Sequence, residues 1–237
     1  MWQEVRRLVG IRDVPTVIVD YERAAFNAVN SVFGQHEVGG CFFHFKAAMW
    51  RRLQELGLER RYCEDEGFRG RFCTLGGLAF VPPQYVVAAF EQMRPEFPHE
   101  EQAFLAYFEA TWIVERRVRI RKNPMFPLDM WSVHARFLHH QALITNACEN
   151  WHRVWRHEVH HGCTHPGMEE FLKGLTRAHT VCLNHAGSVA AAGMPRELPR
   201  ETAQRLHKVQ QCVHDFYASG EALRLAREAG KTWKHIG

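Results

Sequence analysis

The run Val17-Ile18-Val19, ending on Asp20, constrains the fold of this chain more than any other feature. Three consecutive apolar β-branched residues fit a strand covered on both faces. After Asp20 the period changes. Phe26, Val29 and Phe33 fall at helical spacing, and Gly34 is a plausible stop. The stretch EVGGCFF then reads as a second strand, weakened by two glycines. A helix between two strands is a crossover, so the sequence predicts that TVIVD pairs in parallel with the strand around Val38 to Phe42. Two strands alone make a marginal sheet. Either more strands come from elsewhere, or the chain is a piece of a larger domain.

From Phe45 onward the text is helical. FKAAMWRRLQELG should end at Gly57, and Pro82-Pro83 should open a helix carrying Val86, Val87, Phe90 and Met93. Pro98 with Glu100 and Glu101 should open another. RRVRIRKNPMFPLD, residues 116 to 129, is basic, holds two prolines and reads as a loop. The longest helix is expected over about 132 to 157, with Val133, Phe137, Ile144, Cys148, Trp151 and Trp155 as its apolar stripe. Two further helices are expected near 166 to 186 and 200 to 229, with GSVAAAGMPRELP between them. The fold class is therefore α+β and predominantly helical.

Composition narrows the function classes. The 237 residues carry a formal net charge of +4, mildly basic and compatible with a polyanion partner. Seven cysteines, an odd number without regular spacing, argue for a reducing compartment and against a disulfide framework. MWQEVRRLVG has no long apolar core, so it is not read as a signal peptide. No apolar run approaches the length of a membrane span.

Three sets of residues could carry chemistry. Asp20 ends a buried parallel strand, where open α/β sheets bind ligands and where an oxygen ligand suits Mg²⁺. It could equally cap the next helix. Glu149 lies on a polar strip with Thr145, Asn146, His152 and Arg153. That strip could equally be a solvated face with a Glu149–Arg153 pair. Cys41-x-x-His44 has the spacing of half a zinc site. The other half would have to come from Cys148 with His152, or from HEVHHGCTH at 157 to 165. A buried Cys and a hydrogen-bonded His at a strand-to-helix join explain the same pair.

Six motifs in order, VIVDYERAAFNAV, GCFFHFKAAMWRRLQELGL, LAFVPPQYV, YFEATWI, FPLDMW and TNACENWHR, resemble the MULE (Mutator-like element) transposases of the DDE recombinases. The resemblance covers residues 1 to about 175. It implies a partial RNase H-like core over 1–60, a helical insertion over 61–128, a core helix over 129–175 with the third acid, and a C-terminal helical tail over 176–237. Asp20 matches the second catalytic aspartate and Glu149 the third acid. Cys41 and His44 match the family's Cys-x-x-His motif. The implied cofactors are Mg²⁺ or Mn²⁺ on Asp20 and Glu149, converging to roughly 4–8 Å, with zinc not expected. The implied partner is DNA with terminal inverted repeats, in the nucleus, and a homo-oligomer is compatible with it.

The resemblance also implies three strands before TVIVD, the first carrying the first catalytic acid. Here only Asp13 is an acid near that strand, and Met1-Trp2 matches an internal position. The chain is thus expected to be N-terminally truncated and inactive alone. The family's Trp-Asn is here Trp131-Ser132, and its Thr-Asn-Asn is Thr145-Asn146-Ala147. Two alternatives stay open. One is a domesticated DNA-binding or protein-interaction module gripping DNA through Arg116, Arg117, Arg119, Arg121 and Lys122. The other is an active transposase whose start is mis-assigned.

Overall fold

The computed structural model describes residues 16–33, 38–113, 115–117, 120–122, 124–145, 167–192 and 199–233, with the single residues 3 and 152. Side chains of 115–117, 120–122, 182, 185, 186 and 188–192 are not described. Two compact units emerge, one of residues 1–144 and 203–237, the other of 145–202.

In the first unit, strand β1 (Val17–Val19) pairs in parallel with β2 (Val38–Gly40), with Val17 opposite Val38 and Val19 opposite Gly40. The helix Arg23–Phe33 crosses between them and buries Val29 and Phe33. This is the arrangement expected of TVIVD. The Cys41 amide extends the ladder by donating to the Val19 carbonyl at 2.9 Å. The helix Phe42–Glu55 follows directly and ends at Gly57, whose φ of 68° suits a residue without Cβ.

Most of the unit is helical. Helices Glu59–Glu64, Glu66–Gly77 and Pro83–Met93 follow, and Pro83 sits in the first turn as its ring allows. The Asp65 carboxylate caps Glu66–Gly77 by accepting from the Phe68 amide at 2.9 Å. A short 3₁₀ turn, His99–Glu101, leads into Gln102–Phe108 and then a π-turn, Glu109–Ile113. The core is aromatic. Phe45 stacks on Trp131 at 5.1 Å and meets Trp112 edge-on at 4.9 Å, all three buried. Offset and T-shaped pairs of this kind add about 0.5–1.5 kcal/mol each beyond the burial of area.

The stretch read as a loop, 116–129, is irregular over 124–127 and ordered on either side. Strands β3 (Glu115–Arg117) and β4 (Ile120–Lys122) form an antiparallel hairpin, with Arg116 opposite Arg121, and Leu128–Trp131 is a helical turn. The long helix expected from residue 132 does not run as one element either. A short helix, His134–Leu138, ends in His140 at φ 53°, and the chain leaves helical geometry through 141–145. The reason is tertiary. Out of the helix, the Leu143 carbonyl accepts from the Phe42 amide at 2.9 Å, supplying the cap that Cys41's side chain does not. Residues 146–151 and 153–157 of that expected helix lie outside the described residues.

The C-terminal part of this unit packs on the helix Glu66–Gly77. The helix Arg200–Ser219 ends at Gly220, and Ala222–Thr232 packs along Glu66–Gly77. The expected single helix over 200 to 229 is thus two. A Cβ on Gly77 would stand 1.9 Å from the Ala226 carbonyl oxygen, and one on Gly230 would stand 2.2 Å from that of Cys73. Neither helix could approach so closely with a larger residue.

Lys46 sits in this join, 8% exposed, donating to the Trp233 carbonyl. Burial pushes its pKa down to about 8 from 10.5. A folded pKa below the unfolded one gives a contribution complete above pH 10.5 and lost as pH falls through about 8. A tenfold change in proton affinity is worth about 1.4 kcal/mol, so the displacement corresponds to about 3 kcal/mol at most. Lys46→Met should therefore stabilise the protein by about 1–3 kcal/mol at pH 7 and by far less at pH 10.5. Urea melts at both pH values check this. An equal effect at the two would show that Lys46 does not titrate within the fold.

The second unit contains the helix Met168–Ala192, which runs beyond the expected end at 186. Lys173 pairs with Glu169 at 2.8 Å, while Phe171, Leu172 and Leu175 are exposed. No helix among the described residues is long and apolar enough to cross a membrane.

Candidate functional site

At the C-terminal ends of β1 and β2 the chain brings Asp20, Cys41 and His44 together. Each stands on a different anchor. Asp20 follows the last residue of β1, Cys41 occupies the join between β2 and the next helix, and His44 lies in that helix's first turn. One ligand atom from each lies within 4.8 Å of the others. His44 Nδ1 approaches Asp20 Oδ1 at 3.0 Å. That approach is not aligned as a hydrogen bond, and Nδ1 is buried without a hydrogen-bond partner among the described residues. The Cys41 side chain is fully buried, whereas the Asp20 side chain is 56% exposed and faces solvent.

Two residues outside the sequence-derived candidates build the wall of this site. Tyr21 turns inward where Asp20 turns outward. Its ring meets Trp112 edge-on at 4.9 Å and Phe126 at 5.0 Å. Its hydroxyl has no hydrogen-bond partner among the described residues, and burial pushes its pKa well above the usual phenol range. Gly40 makes room for it, since a Cβ there would stand 2.3 Å from the Tyr21 hydroxyl oxygen. Arg136 is 5% exposed and donates to the carbonyls of Gly40 at 2.7 Å and Ala142 at 3.3 Å. Burial lowers its pKa, and the neighbouring Tyr21 and Cys41 act in the opposite sense. Arg136 thus ties the end of β2 to the segment 136–142. A charged residue inside the apolar text VHARFL is the sequence signal for it.

The remaining sequence-derived candidates fall elsewhere. Glu149, Asp13 and Arg119 lie outside the described residues, as does Cys163 of the HEVHHGCTH stretch. His152 is described and exposed. Arg116, Arg117, Arg121 and Lys122 occupy the two strands of the hairpin. Among the described residues, Asp20, Cys41 and His44 are the group with the geometry to hold a metal ion.

The arrangement offers an outward carboxylate suited to a hard cation, next to a thiol and an imidazole suited to a softer one. Compared with family models, with curated proteins and with solved structures, the chain matches none of them.

Proposed function

We propose that this chain derives from the catalytic domain of a Mutator-like DDE transposase, with Asp20 as one of its metal-facing acids and Glu149 as another. The observation that supports this reading is the parallel β1–β2 pair. It carries a carboxylate at the C-terminal end of the first strand and Cys41-x-x-His44 across the exit of the second. That is the place in an RNase H-like core where the six motifs put these residues. Asp20 suits Mg²⁺ or Mn²⁺, because its carboxylate is exposed and it directly follows Val19, whose carbonyl is held by the Cys41 amide. Such ions, when bound, would polarise DNA phosphates and activate the attacking oxygen. The protein's part is to hold two carboxylates at a fixed separation.

That separation is the test. In an experimental structure, carboxylates of Asp20 and Glu149 within roughly 4–8 Å would support a shared pair of ions about 3.5–4 Å apart. A separation beyond about 15 Å would remove the reading.

The 237 residues contain two matched acids, so we expect no Mg²⁺- or Mn²⁺-dependent cleavage or joining by this polypeptide. A second reading, a DNA-binding module, is favoured by the hairpin, which places Arg116, Arg117, Arg121 and Lys122 on one two-stranded ribbon. A β-ribbon of this kind fits a DNA major groove. Binding to duplex DNA should be weak and steeply salt-dependent. Arg116→Ala with Arg121→Ala should flatten the slope of log K against log salt by about 0.9 for each phosphate no longer neutralised. Cleavage of terminal-repeat DNA that disappears in Asp20→Ala would overturn the inactive assignment. An unchanged salt slope would exclude the hairpin as the DNA-contacting element.

A further inference from the structure

The ligand set at the ends of β1 and β2 has a chemistry that two magnesium-binding carboxylates do not account for. Mg²⁺ is held by oxygen and keeps much of its water. A thiol within 4.8 Å of both an imidazole nitrogen and a carboxylate oxygen is a poor neighbour for it and a good one for a borderline-soft ion. Bond lengths of about 2.0–2.3 Å to oxygen, nitrogen and sulfur place tetrahedral ligand atoms about 3.3–3.8 Å apart. Asp20 Oδ1 and His44 Nδ1 stand at 3.0 Å. The widest separation, 4.8 Å at most, needs about 1 Å of closure.

The half-exposed Asp20 side chain is the one able to move. The other two stand on fixed backbone. The Cys41 amide is bonded to the Val19 carbonyl, and the Gly40 carbonyl is held by Arg136. The guanidinium of Arg136, although beside Cys41, is directed onto the carbonyls of Gly40 and Ala142. His44 Nδ1, buried and without a hydrogen-bond partner among the described residues, is a polar atom that a bound cation would satisfy.

We infer that Asp20 Oδ1, Cys41 Sγ and His44 Nδ1 bind one thiophilic divalent ion, Zn²⁺ being the best fit. Three protein ligands leave a fourth position, which opens to solvent past the exposed Asp20 and takes water or an anionic oxygen. This site shares Asp20 with the proposed magnesium-binding pair but draws Cys41 and His44 in place of Glu149, so it does not require the transposase reading.

The experiment titrates the full 237-residue chain, freed of metal by chelator, with Co²⁺ as the probe. We expect one Co²⁺ per chain with a thiolate-to-cobalt charge-transfer band, displaced by Zn²⁺ and untouched by excess Mg²⁺. Cys41→Ser should remove the band. His44→Gln should weaken zinc affinity by more than the roughly 10–100-fold typical of losing an outer-shell partner. Because Cys41 is buried and its variant could misfold, circular dichroism accompanies it. Asp20→Asn, on an exposed side chain, supplies a folded variant that should keep the band and lose affinity. Absence of the band in the parent chain would overturn the site. So would a band that survives Cys41→Ser and vanishes in Cys163→Ser, which would put the ion on the 157–165 stretch. Unchanged zinc affinity in folded Asp20→Asn would remove Asp20 from the ligand set. The Asp20–Glu149 separation tests the transposase reading independently of all these outcomes.

Discussion

Replacing Gly77 by alanine is expected to lower stability by about 3 kcal/mol, and Gly230→Ala should do the same, although alanine is the better helix former. In an open helix position the exchange gains about 1 kcal/mol. At Gly77 the new Cβ would stand 1.9 Å from the Ala226 carbonyl oxygen, and at Gly230 2.2 Å from that of Cys73. Those atoms belong to helix backbone and cannot rotate away, so the helices must separate and uncover Leu75, Phe80, Leu225 and Ala229. Overpacking of this kind typically costs 1–3 kcal/mol, more when backbone must move. Gly70 is the internal control. It lies in the same helix as Gly77 with nothing near its Cβ position. Gly70→Ala should therefore raise the melting temperature by a few degrees, while Gly77→Ala lowers it by roughly 6–12 °C at 2–4 °C per kcal/mol. Equal shifts in the two variants would mean that Gly77 and Gly230 are not in contact across a tight helix pair.

Arg71→Met is expected to cost about 3–5 kcal/mol. Glu101 is fully buried at the end of its 3₁₀ turn. Arg71 reaches it with two hydrogen bonds, one of 2.8 Å from Nε, and Arg61 adds a contact at 3.1 Å. The shared hydrogen bond raises the pKa of Arg71. Removing Arg71 leaves a buried carboxylate with one partner where it had two, and stranding a buried charge costs more than the ion pair itself contributes. The double variant Arg71→Met/Glu101→Leu should recover most of the loss, because it removes both charges. Thermal melts of the two variants decide the matter. A double variant no more stable than Arg71→Met would show that packing at residue 71, and not the charge on Glu101, sets the effect.

The strand–helix–strand unit is legible in the sequence because its signals are local. Val17-Ile18-Val19 has no helical period, Phe26, Val29 and Phe33 have one, and a crossover leaves parallel pairing as the solution. Gly57 and Pro83 are legible for the same reason, since each restricts its own backbone. The hairpin escapes such a reading although its text carries the signal. Arg117, Val118, Arg119, Ile120 and Arg121 alternate charged and apolar residues at period two, but Pro124 and Pro127 point toward a loop. The break after Leu138 cannot be read locally. It depends on the Leu143 carbonyl meeting the Phe42 amide, 101 positions earlier, and tertiary hydrogen bonds override a weak helical pattern. In the site, position and spacing make Asp20, Cys41 and His44 candidates with equally local alternatives, and their grouping comes from the parallel strand pair that brings the two strand ends together. Tyr21 and Arg136 have no such signature, because an inward tyrosine beside an outward aspartate is decided by the aromatic cavity that Trp112 and Phe126 provide.

The interlock of Gly77 with Ala226, and of Gly230 with Cys73, also sets a timetable for synthesis. A ribosome adding about 5–20 residues per second needs roughly 8–30 s to travel from residue 77 to residue 230. Throughout that interval the face of Glu66–Gly77 that will receive the last helix is uncovered, as is the Lys46 side chain that will meet Trp233. The nascent chain must carry this greasy groove open throughout that interval. Chaperone capture should therefore be heaviest on chains from which Glu66–Gly77 has emerged and fall away once Ala222–Thr232 docks on it.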